Sequence, residues 1–123
     1  MTKRIMIVED EEDFHDIYKG FFEGKDYEIT YTFDGEEALE KLGQTKPDLI
    51  ITDINMEMVG GDSFFLLLKG VPKYADIPII VISANPQQDY QNLKELDPNI
   101  VYIEKPDLTE EKFLDEVGKK LAT

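Results

Sequence analysis

The sequence predicts an α/β domain: a parallel sheet wound on both faces by helices. Two observations carry this. Apolar strand-like runs alternate with amphipathic helical stretches five times between Ile5 and Leu121, and strands separated by helices pair in parallel. The runs Ile5–Val8, Leu49–Ile51 and Ile79–Ile82 are continuously apolar, as strands covered on both sides must be.

The first strand ends at Glu9-Asp10, and a helix follows from near Glu12. Phe14, Ile17, Tyr18 and Phe21 recur at i, i+3, i+4 and i+7 as its apolar stripe. Gly24 is its stop signal. Tyr27, Ile29, Tyr31 and Phe33 alternate with polar residues, so the second strand has one less buried face and belongs at a sheet edge. Asp34 and Glu37 have capping-box spacing ahead of Ala38, Leu39 and Leu42. Lys46-Pro47 closes that helix and leads into the third strand, which runs into Asp53.

A loop, Met56 to Gly61, precedes a third helix marked by Phe64, Phe65 and Leu68 and ended by Gly70. The fourth strand leads into Ser83. Asn85-Pro86 then reads as an N-cap with proline at the first helical position. The large apolar residues that follow are Tyr90, Leu93 and Leu96, which predicts the most loosely held helix. The fifth strand, Ile100 to Glu104, leads into Lys105-Pro106. The last helix has Asp107 and Glu110 as its capping pair and turns Phe113, Leu114, Val117 and Leu121 inward. Right-handed crossovers leave few arrangements of such units. The strand order 2-1-3-4-5 puts the alternating second strand at an edge.

At 123 residues the chain is one domain by length, residues 1–123. Cysteine is absent, which excludes disulfides and thiolate metal sites. No apolar run reaches the roughly 20 residues of a membrane-spanning helix, and no signal-peptide pattern is visible, so a cytoplasmic protein is expected. Acidic residues number 27 against 13 basic, a formal charge of −14. Such a surface repels phosphate backbones and anionic lipid, so direct nucleic-acid or membrane binding is not expected. Most of these acids, Glu11, Glu12 and Asp13 among them, read as solvated. His15 is the lone histidine; it lies off the apolar stripe and reads as a solvated surface residue.

Parallel strands bring their C-terminal ends to one edge of the sheet, where α/β sheets place their sites. Glu9, Asp10, Asp53, Ser83 and Lys105 would converge there: three carboxylates, a hydroxyl and an ammonium. That set can hold a divalent cation and present a carboxylate to a phosphoryl group.

Several motifs in order, Ile7-Val8-Glu9-Asp10-Glu11, Pro47 to Met56 around Asp53, Ser83-Ala84 and Tyr102-Ile103-Glu104-Lys105-Pro106, resemble the receiver domain of bacterial two-component response regulators, the CheY-like family. Gly61, eight residues after Asp53, also falls where that family has glycine. The resemblance implies a flavodoxin-like (βα)5 fold. It also implies that Asp53 accepts a phosphoryl group from the phosphohistidine of a sensor histidine kinase or phosphotransfer protein. Mg2+, for which Mn2+ can substitute, would be held by Asp10, Asp53 and the backbone carbonyl of Asn55, with Glu9 acting through a water. Lys105 and Ser83 would contact phosphoryl oxygens. Ser83 and Tyr102 would form the switch, read out by an output domain or effector at the face of the fourth helix, last strand and last helix. A cis Lys105–Pro106 bond would aim the lysine inward. Glu57 stands where the family usually has proline, with its side chain expected to point outward, and Asp107 replaces an aromatic residue.

Three rivals are weighed against this reading. A haloacid dehalogenase-like phosphatase also uses an aspartate, Mg2+, a hydroxyl and a lysine, but needs Asp-x-Asp on its first strand, where this chain has Glu9-Asp10. A flavodoxin-like nucleotide carrier needs a first loop that cradles phosphate, which Glu9 to Asp13 would repel. An inactive receiver serving as a docking module would not need the complete acid, hydroxyl and lysine set.

Overall fold

The computed structural model describes residues 2–53, 61–84, 94, 95 and 97–122. Five strands, β1 (Lys3–Val8), β2 (Tyr27–Thr32), β3 (Leu49–Thr52), β4 (Ile79–Ser83) and β5 (Val101–Glu104), form one parallel sheet in the order β2-β1-β3-β4-β5. The described helices are α1 (Glu12–Phe21), α2 (Gly35–Gln44), α3 (Gly61–Gly70) and α4 (Glu110–Leu121). The helix expected after Asn85-Pro86 and the loop holding Asn55 and Glu57 lie outside the described residues.

The pleat divides the core in two. Met6, Val8, Ile50, Ile79, Val81, Ile100 and Tyr102 face α2 and α3, where they meet Ala38, Leu42, Phe64, Phe65 and Leu68. Ile5, Ile7, Leu49, Ile51, Ile80, Ile82 and Ile103 face α1 and α4. Every residue of β3 and β4 is buried, whereas β2 is mostly half-buried. This is the pattern of central strands and an edge strand.

The second core half is aromatic. Phe113 of α4 stacks on Tyr18 (centroids 5.4 Å apart, planes at 15°) and meets Phe21 and Phe22 at 5.1 and 5.2 Å. These contacts lock α1 to α4.

The inward face of α1 differs from the expected stripe. His15, Tyr18 and Phe22 are buried, while Ile17 is 38% exposed. The face is rotated toward a histidine that a hydropathy count treats as polar. The residues still keep helical spacing, at i, i+3 and i+7.

Two caps also bear on the predictions. The α2 cap is as expected: Asp34 accepts from the Glu37 amide at 2.7 Å, and Glu37 accepts in return from the Phe33 amide at 2.7 Å. At α4 the cap is Thr109, which accepts from the Lys112 amide at 3.2 Å, and not Asp107. Lys105–Asp107 instead forms a 3-10 turn closed by the Leu108 amide on the Lys105 carbonyl, which pushes the start of α4 two residues further on.

Candidate functional site

The C-terminal ends of β1, β3, β4 and β5 lie side by side, and each carries a polar group. Glu9 follows β1 with its backbone held by an amide bond to the Thr32 carbonyl of β2 (3.1 Å), and its side chain is 1% exposed. Asp10, next to it, is exposed. Asp53 follows β3, its amide bonded to the Val8 carbonyl (3.0 Å), and is 4% exposed. Ser83 closes β4, fully buried and in register with Glu104. Lys105 follows β5.

The structure brings the acids and the lysine together. The Lys105 ammonium donates to Asp53 Oδ2 at 2.9 Å and to Glu9 Oε2 at 3.2 Å. Glu9 Oε1 is also only 3.1 Å from the ammonium, but off the hydrogen-bonding direction, and this buried oxygen has no hydrogen-bond partner. Glu11 Oε1 accepts from the same ammonium at 3.3 Å, and the Phe14 ring lies under it with its centroid 4.2 Å away. A cation over an aromatic face gains electrostatic attraction while staying shielded from water.

Glu11 and Phe14 are site residues that the sequence reading missed. By sequence Glu11 reads as a solvated acid and Phe14 as part of the core stripe. Their spacing after Glu9, at the entry to α1, is the signal that could have found them.

Lys105 reaches Asp53 without the expected cis bond: no cis peptide is present among the described residues, Lys105–Pro106 included. Pro106 sits in the first turn of the 3-10 segment, where its fixed φ fits and no amide donor is required. The turn itself aims the lysine back across the sheet edge.

Electrostatics at the site are set by burial first. Burial pushes the Glu9 carboxyl up to about 7, with the Asp53 charge adding to it, although the Glu11 amide and Lys105 pull the other way. Repulsion between the acids contributes to the rise, but less than burial does. For Lys105, burial opposes the ammonium, but the hydrogen bond to Asp53 and the charges of Glu9 and Asp53 outweigh it and hold its pKa above the ordinary lysine value.

Carboxylate oxygens of Glu9, Asp10 and Asp53 all lie within 4.8 Å of one another. Oxygens across an octahedral Mg2+ are about 4.2 Å apart, so direct ligation by two of these residues and a water-bridged third suits that spread. An all-oxygen donor set is what a hard cation requires. Glu9 Oε1, buried beside the Lys105 ammonium but without a hydrogen bond, is a second reason that the residues present fit the ion. The Asn55 carbonyl expected to join them lies outside the described residues.

Tyr102 is 8% exposed in the core half beneath α3, on the same sheet face as Ser83, with Val81 as its register partner. His15, expected at the surface, is 2% exposed, stacks on Phe33 and donates from Nε2 to the Glu9 carbonyl at 2.6 Å.

Comparison with known proteins meets this geometry. Across 85 residues, 69% of the chain, the sequence is 35% identical to the sensor histidine kinase TmoS of Ectopseudomonas mendocina, of which it spans 9%. Across 84 residues, 68% of the chain, it is 37% identical to the polar-differentiation response regulator DivK of Brucella ovis and covers 68% of that protein. The chemotaxis protein CheY4 of Vibrio cholerae shares the fold, with a TM-score of 0.86 at 21% identity over 98% of this chain and all of that one. The family model of the response regulator receiver domain matches residues 5–115. With five strands in the order 2-1-3-4-5 and an acidic cluster at their C-terminal edge, the chain belongs to the response regulator receiver domain family.

Proposed function

We propose that residues 1–123 form a single receiver domain that accepts a phosphoryl group on Asp53 from the phosphohistidine of a sensor kinase or phosphotransfer protein, catalysing its own phosphorylation and dephosphorylation and no other turnover. The observation that carries this is the placement of Asp53: nearly buried, 2.9 Å from the Lys105 ammonium, and clustered with Glu9 and Asp10. An aspartate carboxylate attacks phosphorus without a general base. The phosphorus–nitrogen bond to the donor imidazole breaks as the aspartyl phosphate forms.

The barrier is electrostatic, because an anion approaches an anion. Mg2+, when bound, neutralises charge on the transferring phosphoryl oxygens. Asp10, Asp53 and the Asn55 carbonyl would hold it directly, and Glu9 would hold it through a water. Lys105 keeps one positive charge against Asp53 before transfer and moves onto a phosphoryl oxygen after it. Ser83 donates its hydroxyl to another.

The switch follows from the same contacts. Ser83 drawn to the phosphoryl group vacates space that Tyr102 fills, which favours one of two conformations. An output domain or effector would read it at the face of the segment after β4, β5 and α4. The absence, among described residues, of any helix long and apolar enough to cross a membrane accords with a cytoplasmic location. The phosphatase and nucleotide-carrier readings gain no support from the family and relatives found.

Incubation with acetyl phosphate, with Mg2+ or with EDTA, and intact-mass analysis tests the transfer. An adduct only with Mg2+ is expected; turnover of a generic aryl phosphate would favour the phosphatase instead. For the switch, the phosphoryl mimic beryllofluoride should shift amide resonances from Ser83 onward and around Tyr102, and less so in Ser83→Ala. Changes confined to the loop after Asp53 would defeat it.

A further inference from the structure

His15 is built into the site from behind. Its ring is buried, stacked on Phe33 at 4.2 Å and 23°, and tilted against Tyr31 at 5.5 Å. A carbonyl only accepts, so the 2.6 Å contact with the Glu9 oxygen requires the proton on Nε2. Nδ1 is buried without a hydrogen-bond partner. Burying a nitrogen unpaired is unfavourable, so packing alone would be served better by phenylalanine here. What histidine adds is the Nε2–H donor.

That donor acts on one peptide unit. The Glu9 carbonyl belongs to the plane joining Glu9 to Asp10, and a peptide plane is rigid. On the other side of Glu9, its amide donates to the Thr32 carbonyl, while the Thr32 hydroxyl donates to the Ile7 carbonyl at 2.8 Å. Glu9 is therefore gripped on both sides, by the end of β2 and by the first turn of α1. Its carboxylate is steered too, with Oε2 accepting from the Glu11 amide at 3.1 Å. Fixing the Glu9–Asp10 plane fixes the direction in which Asp10 leaves the strand, and hence how its carboxylate meets those of Glu9 and Asp53.

From these contacts we propose that His15 is a positioning residue: through the Glu9 carbonyl it holds Glu9 and Asp10 in the geometry that binds the divalent cation. The proposal rests on the Mg2+ site described above. It assigns His15 no phosphoryl or proton transfer, since the ring's hydrogen bond goes to a backbone carbonyl.

Partners one step behind a metal ligand change affinity when removed, by about tenfold at the lower end. Three proteins test this: wild type, His15→Phe and His15→Gln. Phenylalanine keeps the stack and loses the donor. Glutamine carries its amide nitrogen close to where Nε2 lies. Mg2+ is titrated while the Glu9 and Asp10 amide resonances and the melting temperature are followed.

His15→Phe should melt within a few degrees of wild type without Mg2+ yet bind Mg2+ about tenfold more weakly, and His15→Gln should recover most of that loss. Wild-type affinity in His15→Phe, or an equal loss in both variants, would overturn the assignment. If His15→Phe does not fold, the wild type decides: Mg2+ should shift the His15 Nε2–H and Glu9 carbonyl resonances together, and silence in both while Asp10 responds would refute it. A wild type that binds no Mg2+ overturns the metal-site reading itself, an outcome distinct from a bound wild type with an indifferent variant.

Discussion

In metal-free protein, raising the pH through the neutral range should remove stability, and Glu9 is the group responsible. Its carboxyl is 1% exposed, and burial pushes it from the ordinary 4.5 up to about 7 in the fold. The folded state therefore holds this proton more tightly than the unfolded chain. The stability that follows is fully present below 4.5 and is lost as the pH rises through about 7. A shift of that size corresponds to on the order of 3 kcal/mol, a large share of the roughly 5–15 kcal/mol that holds a domain folded. Urea unfolding in EDTA at intervals across this range measures it, and Glu9→Gln supplies the control. Subtracting the variant's stability from that of wild type cancels the other titrating groups. The difference should fall toward high pH, with Glu9→Gln the more stable protein above pH 7. Saturating Mg2+ should shrink the pH dependence, because a cation replaces the proton as the partner of the acidic cluster. A wild-type minus variant difference that stays flat across the window would show that Glu9 is not the group responsible.

Other perturbations separate the site from its scaffold. Lys105→Ala leaves Glu9 and Asp53 buried without their cation and should cost on the order of 3 kcal/mol at pH 8 by denaturant unfolding, less at pH 5, where Glu9 can take a proton. Phe113→Ala removes the ring that Tyr18, Phe21 and Phe22 pack around and should cost about 3–5 kcal/mol; its Mg2+ affinity, measured where it remains folded, should be unchanged. Millimolar Mg2+ should raise the melting temperature of wild type, whereas Asp10→Ala should lose most of that gain; an equal gain in the variant would move the cation elsewhere.

Much of this was legible in the sequence because burial on both faces forces continuous apolar runs, as in Ile79–Ile82, and because a parallel sheet gathers strand ends. Asp53, Glu9 and Lys105 could be brought together on those grounds alone. What escaped depended on side chains that serve two environments. His15 is polar by composition but buried by geometry, so the inward face of α1 was misplaced by one step. Glu11 is more than half exposed yet reaches Lys105, and no periodicity marks such a residue. The Thr109 cap was hidden behind Asp107 because the 3-10 turn at Lys105–Asp107 delays α4, and a turn of three residues leaves no periodic trace. The resemblance also suggested a cis bond at Pro106 that this turn does not need.

Whether Asp53 carries the phosphoryl group can be read at the residue itself. Borohydride reduction of protein treated with acetyl phosphate and Mg2+, followed by peptide mapping, reads the acylated residue directly, because an aspartyl phosphate is reduced where a free carboxylate is not. The reduced residue should be found at position 53 in wild type, with no adduct in Asp53→Ala. A Mg2+-dependent adduct that persists in Asp53→Ala, or maps to Asp10, would contradict the account.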